Sequence, residues 1–302
     1  MSAENFNGHS PFEELSHEKK KELLGWIDNA RFEVLPTKKA ATELANMPTE
    51  RKIAVTCRPS NSIEDILSFS KSSIDSGREV MPHIPARQIK TPQHVAEITK
   101  SLQALNVRQI FSIAGDNLEP KGSLRGSLDF LNELRRQNIH FDSINIAGYP
   151  EGHPKIEEEV LDDNLLGKQK WAKETETGMN IITQMCFDAA AITRWIERIR
   201  TLGIKLPVVV GVPGNVSMLS LGKFAGEFGF GDSYKIFKKD PLFLAQLSFE
   251  ALKSGRHKPD KLLANLSKIT SEEHGIRGIH IYTFNNIDKT REWIDEARSF
   301  LS

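Results

Sequence analysis

Eight short apolar runs, each followed by a stretch of helical periodicity, constrain the fold more than any other feature of this chain. The runs span residues 31–36, 52–57, 79–85, 109–115, 142–149, 180–184, 206–213 and 278–284. They are rich in Ile and Val, and several are apolar nearly throughout, as strands covered on both faces are. The intervening segments read as amphipathic helices. Residues 63–76 carry Ile63, Ile66, Leu67 and Ile74 at helical spacing, and residues 188–202 carry Ile192, Trp195, Ile196 and Ile199 on one face. Thr91-Pro92 opens the helix of 91–105 as an N-cap followed by proline at the first helical position. Strand–helix alternation implies parallel pairing through right-handed crossovers. Eight such units in 302 residues predict an α/β fold, a (β/α)8 TIM barrel, with an open doubly wound sheet as the competitor.

Two segments fall outside the eight units. Residues 13–29 predict an extra helix over the bottom or side of the barrel. Residues 240–254 and 258–274 predict a helical insertion before the last strand. No linker, repeat or low-complexity stretch divides the chain, so a single domain over 1–302 is expected, with 1–30 as an N-terminal extension and 31–302 as the barrel. Lys+Arg and Asp+Glu both total 40, which gives no basic excess for nucleic acid or an anionic membrane surface. No apolar run approaches the roughly 20 residues of a membrane span, and Met1 to Ser10 lacks the apolar core of a signal peptide. The two cysteines, Cys57 and Cys186, lie in apolar segments and read as buried thiols, which fits a cytoplasmic protein.

Parallel barrels build their sites at the C-terminal ends of the strands. Those ends carry Glu33, Thr56, His83, Asp116 after Gly115, Tyr149 and His153, Thr183 and Gln184, the run 211–214, and Tyr282 and Asn285. Alternation points Glu33, between Phe32 and Val34, into the barrel or its mouth. A carboxylate there is costly unless paired or protonated, which suits a proton donor as well as a structural ion pair. Asp116 reads equally as a cap or turn residue, and His83 equally as a structural histidine. No H-x-x-H or C-x-x-C spacing supports a metal. Dinucleotide, Walker A and G-x-S-x-G fingerprints are missing as well.

The ordered segments resemble the methylenetetrahydrofolate reductase family. The match runs through Phe32-Glu33-Val34-Leu35-Pro36-Thr37-Lys38, Val55-Thr56, Pro82-His83, Gly115-Asp116, Ala147-Gly148-Tyr149-Pro150-Glu151-Gly152-His153-Pro154, Ile182-Thr183-Gln184-Met185-Cys186-Phe187-Asp188, Lys223-Phe224-Ala225 and Ile281-Tyr282-Thr283-Phe284-Asn285. The resemblance implies a (β/α)8 barrel that reduces 5,10-methylenetetrahydrofolate to 5-methyltetrahydrofolate, with NADH or NADPH as hydride source and FAD as carrier. It makes Glu33 the proton donor. It has Asp116 contact the pterin and influence the flavin, Gln184 hydrogen-bond the pterin ring, and Phe224 stack on folate or nicotinamide. Thr56, His83, Gly115, Tyr149, His153, Gln169 and Lys173 fall on the cofactor side. The chain departs from the family pattern there too. Ala114 stands where arginine is common, and Leu166, Gln169 and Ala172-Lys173 stand where acidic, amide and Arg-Lys positions are expected. Arg58, Arg87 and Arg125 are the residues that could restore the charge. These departures leave flavin-free hydride transfer, or a non-catalytic folate-binding or methyl-transfer role, as alternatives.

Overall fold

In the computed structural model, residues 10–58, 60–217, 220 and 255–302 are described. Eight parallel strands close into a barrel: β1 (Arg31–Val34), β2 (Ile53–Val55), β3 (Val80–Pro85), β4 (Gln109–Ile113), β5 (Ser143–Gly148), β6 (Gly178–Thr183), β7 (Val208–Pro213) and β10 (Ile276–Tyr282). Each pairs with its neighbours in chain order, and β10 pairs with both β7 and β1 to shut the ring. Every expected strand is present within its expected range, apart from β6 and β10, which begin two residues earlier than read. A short antiparallel pair, β8 (Val216–Ser217) with β9 (Arg256–His257), was not anticipated. Its two strands are too short and too far apart in sequence to leave a periodic signal.

The helices form the outer layer: α1 (His17–Asn29), α2 (Lys38–Ala45), α3 (Ile63–Asp75), α4 (Pro92–Ala104), α5 (Ser127–Arg136), α6 (Glu158–Glu174), α7 (Ala189–Thr201), α8 (Asp260–Ile269) and α9 (Ile287–Leu301). Their starts are chemically marked. The Thr91 hydroxyl accepts from His94 N at 3.1 Å, and Ser62 and Asp65 exchange bonds in a capping box. Such caps are worth about 1 kcal/mol each. The N-terminal helix α1 lies on the side of the barrel, against β10 and beside α8 and α9, buried through Leu23, Trp26 and Ile27. The insertion expected at 240–254 falls outside the described residues.

Two apolar cores result. The larger lies between strands and helices, with Phe32, Ile53, Ile110, Phe130, Ile196 and Trp293 buried in it. The smaller fills the barrel itself, with Ala54, Met81, Phe111 and Ile182. Above that plug the strand ends open into a mouth. Residues two further along each strand point into it, as the pleat requires.

Candidate active site

Three strands meet on one carboxylate. Glu33 of β1 accepts a contact from His280 of β10, Nε2 to Oε2 at 3.0 Å, and His83 of β3 places its Nε2 3.7 Å from the same oxygen. Both histidines are buried. Phe111 of β4 floors the group, edge-on to His83 with ring centroids 4.5 Å apart. Tyr282 closes the side, T-shaped to His280 at 5.1 Å. Burial drives the His83 pKa down to about 4, against the pull of the Glu33 charge, so its ring is neutral near pH 7. His83 Nε2 and His280 Nδ1 have no hydrogen-bond partner. The Glu33–His280 contact admits two arrangements: an imidazole Nε2–H donates to the carboxylate, or, with the ring proton on Nδ1, a carboxyl O–H donates to Nε2. The same three side chains offer ligand atoms within 4.8 Å of one another, a donor set a divalent cation could use.

The end of β10 fixes Glu33 in place. Thr283 Oγ1 donates to Glu33 O at 2.6 Å, and Asn285 Oδ1 accepts from Leu35 N at 2.8 Å. Asn285 Nδ2 also reaches Thr37 Oγ1 at 2.9 Å. Phe284 and Asn285 both adopt left-handed backbone, φ +51° and +53°. Non-glycine residues held there are strained by order 1 kcal/mol or more, and such strain gathers at sites. Asn285, read from sequence as a mouth residue, is thus a clamp on the strand bearing the acid.

On the opposite wall Tyr282 OH donates to Thr183 O at 3.0 Å. Gly211 of β7 permits this: a Cβ there would lie 2.2 Å from Thr183 O and 2.7 Å from the Tyr282 ring. Gln184 follows, its backbone N bonded to Gly148 O at 2.7 Å and its Oε1 accepting from Met185 N at 2.9 Å. Its amide N–H groups make no hydrogen bond among the described residues. Tyr149-Pro150-Glu151-Gly152 forms a turn closed by Gly152 N to Tyr149 O at 3.1 Å, with Pro150 second, the place its fixed φ suits. The turn returns His153 onto Tyr149, T-shaped at 5.1 Å. Burial, reinforced by the Asp116 charge, pushes the Tyr149 hydroxyl up to about 12.

Asp116 sits on the rim after Gly115, whose φ of +86° and 2.9 Å approach to Pro85 exclude a larger residue. Surrounding atoms raise the Asp116 pKa while Arg87 and Lys155 lower it. The charges of Asp116 and Glu33 both act on Cys57, whose thiol burial pushes up to about 12. Thr56, buried, bonds Val34 O through its backbone N at 2.9 Å. The structure therefore brings Glu33, Thr56, His83, Gly115, Asp116, Tyr149, His153 and Gln184 to one end of one barrel.

Two expected cofactor residues lie elsewhere. Gln169 donates to Gly203 O at 3.0 Å and accepts from Lys205 N at 2.6 Å, in the loop that enters β7 from the opposite end. Lys173 is exposed one residue before the end of α6, at that same opposite end. The reason is direction: α6 runs down from the mouth, so its last turns are at the far end. Phe224 lies outside the described residues. His280 was missed. Its only signal was alternation, two residues before Tyr282 and flanked by Ile279 and Ile281.

A family model described as methylenetetrahydrofolate reductase matches residues 52–226. The 5,10-methylenetetrahydrofolate reductase of Escherichia coli (strain K12) is 27% identical over 218 residues, covering 70% of this chain and 68% of that protein. Methylenetetrahydrofolate reductase (NADH) 1 of Arabidopsis thaliana is 24% identical over 230 residues, 70% of this chain and 36% of that one. A probable methylenetetrahydrofolate reductase (NADPH) of Caenorhabditis elegans is 24% identical over 239 residues, 74% of this chain and 33% of that one. The chain spans about a third of the length of these last two.

Proposed function

The chain belongs to the methylenetetrahydrofolate reductase family, and on that premise we propose that it reduces 5,10-methylenetetrahydrofolate to 5-methyltetrahydrofolate with hydride from NADH or NADPH. The observation that carries the reading is Glu33, seated between two buried histidines where the barrel opens.

The reaction needs a proton on the folate N10 to open the methylene bridge and a hydride on the methylene carbon of the resulting iminium. Glu33, hydrogen-bonded through Oε2 to His280, is the group placed to supply the first. Neutral His83 adds no cation beside the developing iminium. Phe111, with Ala54, Met81 and Ile182, gives the site an apolar floor. The Gln184 amide offers paired donors to the pterin edge. Asp116, on the rim, faces the ring from the other side.

The residues at the mouth fit a flavin ring. Thr56, His83, Gly115, Asp116, Tyr149 and His153 would hold it, with the unpartnered His83 Nε2 available as a polar contact. FAD, when bound, relays hydride from nicotinamide to folate. The placement of Gln169 and Lys173 at the other end favours a second reading, in which nicotinamide delivers hydride to folate directly.

Two measurements test this. Purified protein is assayed for methylenetetrahydrofolate-dependent oxidation of NADH and NADPH, and its visible absorption spectrum is recorded. Turnover with a flavin spectrum supports the FAD route. Turnover without one supports direct transfer. The absence of turnover with either nucleotide, with added FAD, overturns both.

A further inference from the structure

The outer helices pair their cations with acids: Arg135 with Glu174 at 2.7 Å, Arg198 with Asp162 at 2.6 Å, Lys258 with Glu296 at 2.6 Å. One sector of the mouth does not. Arg87, Arg125, Lys121 and Lys155, on the loops after β3, β4 and β5, have no carboxylate within ion-pair distance among the described residues. Acids share these loops, Asp116 and Glu119 after β4 and Glu151 after β5, but none is ion-paired to any of the four among the described residues.

Arg87 is the most firmly placed of these. It follows β3 in a single 3-10 turn, Ala86–Gln88. Its backbone N bonds Ala114 O at 2.9 Å, and its carbonyl accepts from Lys121 N at 2.8 Å. Its Nε donates to Arg125 O at 2.8 Å and its Nη1 to Asn117 O at 3.3 Å. Gly122 makes this seat possible, since a Cβ there would lie 2.3 Å from Lys90 O. The guanidinium is thereby held stiff, with Nη2 uncommitted. Its charge acts on Asp116, Tyr149 and His153, three residues of the mouth. Lys155, from the next loop, acts on Asp116 and His153 as well. A loop staple requires only the carbonyl contacts. It does not require a second cation acting on the same groups, and it leaves the absence of any ion pair at these four cations unexplained. A planar guanidinium with a spare edge suits phosphate or carboxylate oxygens.

We propose that Arg87, assisted by Lys155, seats the anionic part of a ring-bearing ligand at the mouth: a phosphate of a dinucleotide or a carboxylate of a glutamate tail on folate. The inference rests on the reductase reading and adds to it the group that anchors the ligand outside the reacting ring.

Dissociation constants of the full chain and of Arg87→Gln, Arg87→Lys and Lys155→Gln are measured for three ligand pairs. These are FAD against riboflavin, NADH against dihydronicotinamide riboside, and 5-methyltetrahydrofolate triglutamate against its monoglutamate. Arg87→Gln weakens the more anionic member of one pair by about tenfold to a hundredfold and spares the other member. That pair names the source of the anion. Lys155→Gln acts in the same sense but less, Arg87→Lys recovers part of the loss, and added salt shrinks the difference. Equal loss across both members of every pair, with a lowered melting temperature, makes Arg87 a loop staple and overturns the proposal. So does no loss in any pair, or a wild-type chain that binds none of the six. Wild-type binding with this discrimination but without turnover overturns the reductase reading instead.

Discussion

The two ends of the barrel treat polar groups differently. In the lower half Arg31 reaches Gln109 Oε1 at 2.9 Å and also Glu79, which Lys52 approaches at 3.5 Å. Asn180 donates to Asn145 Oδ1 at 3.2 Å, and Asn145 to Ile110 O at 3.3 Å. One nitrogen of Arg31 apart, these groups are committed to each other. At the mouth His83 Nε2, His280 Nδ1 and Asn117 Oδ1 stay unpartnered, and the rim cations form no ion pair among the described residues. A buried polar atom without a partner costs about 1–3 kcal/mol. The lower end spends its polar groups on stability, and the upper end holds them with valency to spare, which a ligand requires.

Substitutions at the two ends should therefore fail in different ways. Glu33→Gln keeps the shape and removes the proton; kcat should fall by about 10²–10⁴-fold while thermal unfolding changes little. Near-normal turnover would take Glu33 out of the mechanism and blur the contrast. His83 gives a stability effect that belongs to the mouth. Its folded pKa is about 4 against 6.5 for the free side chain, so between those values the unfolded chain takes up a proton that the folded chain refuses. Stability is thus lost as pH falls from 6.5 towards 4, by up to about 3 kcal/mol from this group. Asp260, raised to about 6, slopes the other way, so the difference between wild type and His83→Gln is the quantity to measure in denaturant titrations. That difference should be flat above pH 6.5 and change below it. Arg31→Met, at the lower end, should cost about 1–2 kcal/mol and leave kcat/KM untouched. A matching loss of catalysis would mean the ends are coupled. Lys71→Ala breaks an exposed pair with Asp75 on α3, at 2.6 Å. The change should stay within about 0.5 kcal/mol by the same titration, which sets the baseline for the other three.

Much of the architecture was legible because burial on both faces writes long apolar runs. Ile53-Ala54-Val55 and Val208-Val209-Val210 could hardly be anything but covered strands. Thr91-Pro92 and Asp188 marked helix starts because caps are local chemistry. The site was legible where a polar residue ended such a run, as with Glu33, Asp116 and Gln184. His280 was hidden because a lone polar residue within a strand looks like any satisfied core histidine, and its partner Glu33 is 247 positions away. Gln169 and Lys173 were misplaced for the opposite reason. Motif matching counts positions along α6 but does not register that a helix this long carries its end away from the mouth.

The bonds from Thr283 and Asn285 to Glu33 and Leu35 tie nearly the first strand to the last, across 250 residues. During synthesis the acid emerges early and its support very late. A nascent chain that stops before β10 could already contain seven of the eight strands yet lack the imidazole that meets Glu33 and the amide that holds Leu35. Competence for chemistry is acquired when β10 shuts the ring, so products cut short before that strand would be barren rather than partly active.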